Sequence, residues 1–237
     1  MGTDVPSLDA PMIRTMVLET SIGWASMLRI ALLVTATIGV VALRPGKNVR
    51  WCAISALYGL AVATLPWEGH AAASEGADGL FHRSNDAVHL LVGGLWIGAI
   101  GWFLALTIKA HRHSDQDDAM PLIDALHSFR PLGIALVAIV AVTGAINAQL
   151  IFGIDSVPSV MATSYGQLLA AKLALVALML LCAARHAAIS KFEANSGQTR
   201  DRKRALAVLR RSLAIEAGLA LAILSLVAVI GMISPMG

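Results

Sequence analysis

Several features that define enzyme and pump classes are missing from this sequence. It has two cysteines in 237 residues, Cys52 and Cys182, and neither has a Cys or His nearby at a metal-ligand spacing. We interpret both as small apolar packing residues. No G-x-x-x-x-G-K-[ST] motif occurs, which argues against a nucleotide-driven machine. The start, MGTDVPSLDAPM, lacks the basic and apolar regions of a cleavable signal peptide, so the apolar spans themselves must direct insertion.

Charged residues are also scarce, at 14%, whereas 57% of residues are hydrophobic and the mean hydropathy is +0.72. A water-soluble globule of this size cannot bury so much apolar surface, so the chain is an integral membrane protein. Apolar runs that approach the roughly 20 residues of a membrane-spanning helix recur along it. The predicted fold is an all-α, polytopic membrane bundle. The predicted spans are 20–43, 50–66, 84–108, 131–152, 165–189 and 208–233.

The net charge of +3 does not point to nucleic acid, because the basic residues gather at membrane boundaries. Connections 44–50, 109–130 and 191–211 carry three, three and seven Lys or Arg, whereas 67–83 carries only Arg83 and 153–164 carries none. Cytoplasmic connections hold the excess of positive charge. We therefore expect both termini, and the stretch 67–83, to lie on the outer side.

An internal repeat relates the first and fifth spans. TSIGWASMLRIAL begins at Thr20 and TSYGQLLAAKLAL at Thr163, and both run inward, so the duplication is parallel. If spans three to six form one unit, spans one and two match half of another. We therefore divide the chain into an N-terminal helix pair, 1–66, and a four-helix membrane domain, 67–237. The first unit is then expected to be two helices short, through loss or a truncated reading frame.

Among the charges inside predicted spans, Arg29, Lys172 and Glu216 lie well away from the span ends. A charge in hydrocarbon normally faces the bundle interior and pairs, so we expect Glu216 to approach Lys172 or Arg29. The alternative is that the cations extend to an interface. Asn147, in the fourth span, is expected to hydrogen-bond across the bundle or to line a path.

The outer connection EGHAAASEGADGLFHRSNDAVHLL combines acids and histidines. Asp86 and His89 are three residues apart, so a helix places them on one face. Glu68 and His70 end the second span. Two imidazoles with one or two carboxylates could therefore meet at the outer rim as a transition-metal site, for which imidazole suits copper. The competing interpretation is that these histidines are structural interfacial residues.

Weaker candidates surround this group. His82 belongs to no recognisable motif, and with Glu75, Asp78 and Arg83 it is interpreted mainly as solvated loop. Met161 could offer a thioether to Cu(I), although interfacial packing explains it as well. The remaining histidines fall on the inner side and are interpreted as loop or interfacial residues: His111, His113, His127 and His186.

Five segments in this order resemble the copper resistance D (CopD, PcoD) family: GHAAA, DAVHLLVGGLWIGAI, TGAINAQL, TSYGQLLAAKLALV and LRRSLAIEAGLALAIL. The resemblance implies a bacterial inner-membrane protein that passes copper from periplasm to cytoplasm beside a periplasmic CopC-like protein. It also implies that His70 and His89 are the outer copper histidines. Members usually have another histidine-bearing helix pair near the start, so we expect self-association or a partner subunit here.

The leading hypothesis is a non-enzymatic copper permease without an intramembrane Cys-Pro-Cys, with Asp86 orienting His89 or ligating copper directly. The sequence leaves Cu(I) and Cu(II) both open. A b-type haem electron-transfer protein is a second class, but His89 lies near the outer face and His186 near the inner one, so they cannot share an iron within one chain. A copper-binding membrane scaffold or sensor is a third class.

Overall fold

Every element of the described chain is helical, as the composition predicts. A computed structural model describes residues 10–42, 48–68, 76–113, 119–193 and 199–233. The helices are α1 (Ala10–Leu18), α2 (Ser21–Ala42), α3 (Asn48–Ala63), α4 (Gly76–His113), α5 (Ala119–Ile151), α6 (Val157–Met161), α7 (Ser164–Glu193) and α8 (Thr199–Ile230). Short 3₁₀ turns, Leu65–Trp67 and Ile154–Ser156, follow α3 and α5. The prediction of an all-α fold is confirmed.

Within these described ranges, six helices are long and apolar enough to cross a membrane. The candidate spans are Ser21–Ala42, Asn48–Trp67, Gly76–Ala110, Asp124–Ile151, Ser164–Ala184 and Ala207–Ile230. Their outward surfaces carry large apolar side chains such as Trp24, Val41 and Leu221, which are 59%, 80% and 67% exposed. Such surfaces suit contact with lipid. The predicted number of spans is confirmed, and the outward placement of both termini stays a prediction.

Three of the helices begin well before the predicted spans. Helix α4 begins at Gly76 rather than at residue 84, α5 begins at Ala119 rather than at 131, and α8 begins at Thr199 rather than at 208. Hydropathy marks the part of a helix that lies in hydrocarbon, and a helix continues into the polar interface beyond it. The interpretation of Asp78, His82 and Arg83 as solvated loop is therefore wrong: all three lie in α4, and His82 is only 3% exposed.

The chain forms two compact units, residues 1–91 and 92–237, and the division falls inside α4. In the first unit, α1 and α3 pack against α2. In the second unit, α7 packs against both α6 and α8. The core of the second unit draws on four helices, through Ile100, Phe103, Leu122, Met179, Leu213, Ala220 and Ile223. The functional division at residues 66 and 67 stays a prediction.

The internal repeat is present as a local structural motif in both units. Thr20 and Thr163 each precede a long helix, and their Oγ1 atoms accept hydrogen bonds from the backbone N–H groups of Gly23 and Gly166 at 3.0 and 3.2 Å. These are N-terminal caps, which satisfy helix N–H groups that have no partner within the helix. A short helix that the sequence reasoning missed, α1 or α6, leads into each cap.

The two repeat glycines let the short helix approach the long one. A Cβ atom at Gly23 would lie 2.3 Å from the Val17 carbonyl oxygen, and one at Gly166 would lie 2.1 Å from that of Val160. These contacts are with backbone, so they cannot be relieved by moving a side chain. Glycine is therefore required at both positions for the short helix to pack where it does.

We predict that Gly23→Ala and Gly166→Ala each destabilise the protein by about 1–3 kcal/mol, because the added methyl group clashes with backbone. Gly98→Ala is the control, since a Cβ there meets nothing within 4 Å. Thermal unfolding in detergent measures the effect. Equal melting temperatures for all three variants would contradict the assigned close approach.

Candidate functional site

A polar cluster joins α2 to the end of α3 in the first unit. Arg29 donates from Nη1 to Glu68 Oε2 at 2.6 Å, from Nε to Thr64 Oγ1 at 2.9 Å and from Nη2 to the Thr64 carbonyl at 3.0 Å. The Ser26 hydroxyl donates to Glu68 Oε1. We call Ser26, Arg29, Thr64 and Glu68 the Arg29 cluster. All three guanidinium nitrogens of Arg29 are thereby used.

Thr64 follows α3 directly, at the point where the α-helical hydrogen-bond pattern ends. Pro66 follows two residues later, has no N–H group and cannot continue the α-helical hydrogen-bond pattern. The chain instead makes the 3₁₀ turn Leu65–Trp67. In this turn the Thr64 carbonyl accepts from the Trp67 N–H at 3.3 Å and also from Arg29 Nη2 at 3.0 Å, and Thr64 is only 8% exposed. The cluster therefore gives hydrogen-bond partners to a cation in an apolar helix and adds a second hydrogen bond to a backbone carbonyl at a helix terminus.

Glu68 lies just beyond the apolar span that ends at Trp67. The hydrogen bond from Arg29 holds the pKa of Glu68 below its ordinary value, against a smaller opposing effect of desolvation, and the Ser26 hydroxyl acts in the same direction as Arg29. Glu68 is therefore ionised at neutral pH and neutralises Arg29. Both carboxylate oxygens accept hydrogen bonds, which gives Glu68 a structural role in the cluster.

The first turns of α4 pack along α3 in the opposite direction. The Arg83 guanidinium carbon lies 5.9 Å from the centre of the Trp67 ring, and a Cβ atom at Gly59 would lie 3.7 Å from Leu91 Cδ2. Eight residues separate the two contacts on each helix. A rise of about 1.5 Å per residue therefore places Asp86 about level with Thr64 and the Arg29 cluster.

Asp86 and His89 are both half-buried on this part of α4. Their spacing puts them on one face, as predicted. His82 lies one turn before Asp86 on the same face. That face of α4 therefore carries a stripe of three ligand-type side chains, His82, Asp86 and His89. Within the described residues, however, no three His, Cys, Asp or Glu side chains come together closely enough to hold a metal ion.

The other predicted site residues are dispersed. His70, with Glu75, lies outside the described residues. Met161 ends α6 in the second unit and is 42% exposed. Asn147 is half-buried on α5, and Lys172 is half-buried on α7 at the repeat position that Arg29 occupies on α2.

The ionic partner of Arg29 is Glu68, which the sequence reasoning considered only as a metal ligand. Glu216 is 6% exposed, and Ser212 Oγ donates to its Oε1 at 3.2 Å. The predicted approach of Lys172 to Glu216 stays a prediction. The sequence reasoning also missed Ser26 and Thr64, whose hydroxyl groups complete the Arg29 cluster.

Two family models match the chain. The model described as Copper resistance protein D matches residues 123–230, and that described as Copper resistance protein D-like, N-terminal domain, matches residues 1–80. No solved structure matches the chain.

Curated relatives agree with the family models. Copper resistance protein D of Pseudomonas syringae pv. tomato is 33% identical over 95% of this chain and 72% of its own length. Inner membrane protein YebZ of Escherichia coli (strain K12) is 31% identical over 77% of this chain and 60% of its own. Copper transport protein CutJ of Bacillus subtilis (strain 168) is 28% identical over 81% of this chain and 35% of its own. The chain belongs to the copper resistance protein D family, as a multi-pass membrane protein.

The Arg29–Glu68 interaction can be measured by a double-mutant cycle with Arg29→Met and Glu68→Gln. We predict a coupling free energy of about 1 kcal/mol, because the side chains are 18% and 29% exposed and solvent screens part of the attraction. Arg29→Met should be the more destabilising single change, since it also removes both hydrogen bonds to Thr64. Glu19→Gln, an exposed carboxyl in the same unit, is the control, and additive effects in the cycle would contradict the interaction.

Proposed function

We propose that this chain is a non-enzymatic copper-binding protein of the bacterial inner membrane that takes copper from the periplasm and moves it across the membrane. Membership of the copper resistance protein D family supports a copper-related function. The name of the Bacillus relative, a copper transport protein, supports movement of the ion. Copper is the transported substrate and not a resident cofactor.

The observation that carries the proposal is the half-buried pair Asp86 and His89 on one face of α4. An imidazole and a carboxylate are suitable ligands for copper in either oxidation state. His70 is proposed as the second imidazole, and Asp86 either ligates copper or orients His89 by accepting a hydrogen bond from its ring. His82 and Met161 are secondary candidates for contacts during passage.

The electrostatics of the first unit favour a cation at this place. The carboxylate of Glu68 neutralises Arg29, so the Arg29 cluster adds no net positive charge at the level of Asp86. The end of the unit where α2 begins and α3 ends is the end predicted to face outward, so copper would arrive from the periplasm. A periplasmic CopC-like protein is the proposed donor, and self-association of the chain is proposed as well.

The test is copper binding and cellular copper accumulation with His70→Ala, His89→Ala and the double variant. We predict that each single change weakens binding of copper to the purified protein by at least about tenfold, because it removes a proposed ligand. Accumulation of copper should fall in parallel. His113→Ala, on the side predicted to face inward, is the matched control and should behave as wild type.

Two outcomes would contradict the proposal in different ways. If both outer-histidine variants bind and accumulate copper as wild type does, the ligand assignment is wrong. If they lose binding while accumulation is unchanged, copper is bound without being moved, as in a scaffold or sensor. An absorption spectrum of the same preparation should show no Soret band, and a Soret band that requires His89 would assign the histidine to haem.

A further inference from the structure

Glu216 occupies a core position of α8 that the proposed copper site does not use. It is 6% exposed, and its spacing puts it on the same helix face as Leu213, Ala220 and Ile223, all of them buried. These three belong to the central apolar cluster of the second unit. The remaining buried members of that cluster come from facing helices: Ile100, Phe103, Leu122 and Met179. The carboxyl group therefore lies in the interior of this unit.

The depth of Glu216 follows from the register of α7 and α8. Tyr165 and Ile230 share one buried cluster, with Leu168, Leu169 and Leu226 packed against it. Helices α7 and α8 run in opposite directions, so each residue further along α7 is level with one residue earlier on α8. Counting from Tyr165 and Ile230, Glu216 is about level with Met179. It is nine residues past the start of its span at Ala207 and fourteen before the end at Ile230. The segment from Glu216 to Ile230 gives about 21 Å of helix without a charged residue, whereas on the other side Arg211 and Arg210 lie five and six residues away, about 8 to 9 Å along the helix.

Few charged groups can compensate Glu216 at that depth. On α7, Lys172 is about level with Ile223, two helical turns away by the same register, and Cys182 is half-buried near the other end of the span. On α8 itself, Arg210 and Arg211 lie one to two turns away. On α4 and α5 the charged side chains described in this unit are exposed: Lys109, Asp124 and Arg130. The contact shown for the carboxyl is the hydrogen bond from Ser212.

Packing alone does not require a carboxyl at this position. In the first unit, Ile54, Leu57 and Ala61 of α3 and Thr64 just after it have the same spacing as Leu213, Glu216, Ala220 and Ile223 on α8. Ile54 and Ala61 are buried in α3, as their counterparts are in α8. Leucine thus fills the place that Glu216 fills in α8. A carboxyl group in an apolar interior is costly, and intramembrane carboxyl groups commonly mark ion or proton pathways.

We propose that Glu216 is a proton-binding site in the membrane interior, and that its proton leaves when a copper ion passes and returns afterwards. One proton for one Cu(I) ion balances charge: the O–H bond of the carboxyl breaks, the proton goes to water on the outer side, and the carboxylate faces the ion until a proton from water on the inner side binds it. Copper entry is then accompanied by proton exit. This coupling rests on the proposed copper transport, whereas the proton-binding site does not.

The proton-binding site is tested by infrared spectroscopy of the full chain in lipid nanodiscs, without copper. The wild type should show the C=O band of a buried protonated carboxyl at neutral pH, and Glu216→Gln should lose it. Asp124→Asn, a change at an exposed carboxyl, should keep the band. Ser212→Ala is a milder variant that should shift the band by removing its hydrogen bond. A spectrum that is identical in wild type, Glu216→Gln and Ser212→Ala would overturn the assignment.

The coupling is tested in proteoliposomes that contain a pH-sensitive dye and a copper indicator. Addition of copper outside should raise the internal pH in the wild type, and in Glu216→Gln this proton movement should fall to the level of empty liposomes while equilibrium copper binding is retained. Wild-type stoichiometry in Glu216→Gln, or copper entry without proton movement in the wild type, would overturn the coupling. Failure of the wild type to admit copper would instead contradict the proposed function, and the infrared result would stand separately.

Discussion

The cost of placing Arg29 inside an apolar helix is the constraint on which the first unit depends. A guanidinium in hydrocarbon must be paired and hydrogen-bonded, and Arg29 meets this requirement through Thr64 and Glu68 at the end of the neighbouring helix. The same contacts add a side-chain hydrogen bond to the Thr64 carbonyl, which also accepts from the Trp67 N–H where α3 ends. One residue thereby fixes how α2 meets α3. The first turns of α4 contact this part of the chain at two places, where Arg83 lies over Trp67 and where Leu91 lies near Gly59.

The two halves of the repeat share a cap and a close glycine contact but differ in how they use charge. In the first unit the cation at the repeat position faces Thr64 and Glu68. In the second unit, the register of α7 and α8 places Lys172 level with Ile223. The carboxyl group of Glu216 lies about two turns earlier on α8. The same helix pair therefore carries different charged groups in the two units. The first unit has a neutralised ion pair near a helix end, and the second has a carboxyl group in its interior. This difference is the basis for proposing copper capture in the first unit and proton exchange in the second.

The fold class and the six spans could be predicted from hydropathy, because transfer of apolar side chains from water dominates the behaviour of such segments. Helix ends could not, since α4 and α5 continue into an interface that hydropathy does not mark. The burial of His82 depends on neighbouring helices and was equally out of reach. The contact between Arg29 and Thr64 could have been predicted. Helices α2 and α3 are antiparallel neighbours joined by a short connection centred near residue 45, so residues equally far from it lie level with each other, and Arg29 falls within about a turn of Thr64. The Asp86–His89 pair followed from spacing alone.

The central claim is that imidazole groups at the predicted outer end of the first unit bind the copper ion. X-ray absorption spectroscopy of the copper-loaded, purified protein tests it most directly, since the scattering from histidine rings is distinct from that of sulfur ligands. The account predicts nitrogen and oxygen ligands with an imidazole signature in the wild type, and loss of that signature when His70 and His89 are both replaced by alanine. A coordination shell made of sulfur alone, unchanged in that double variant, would contradict it.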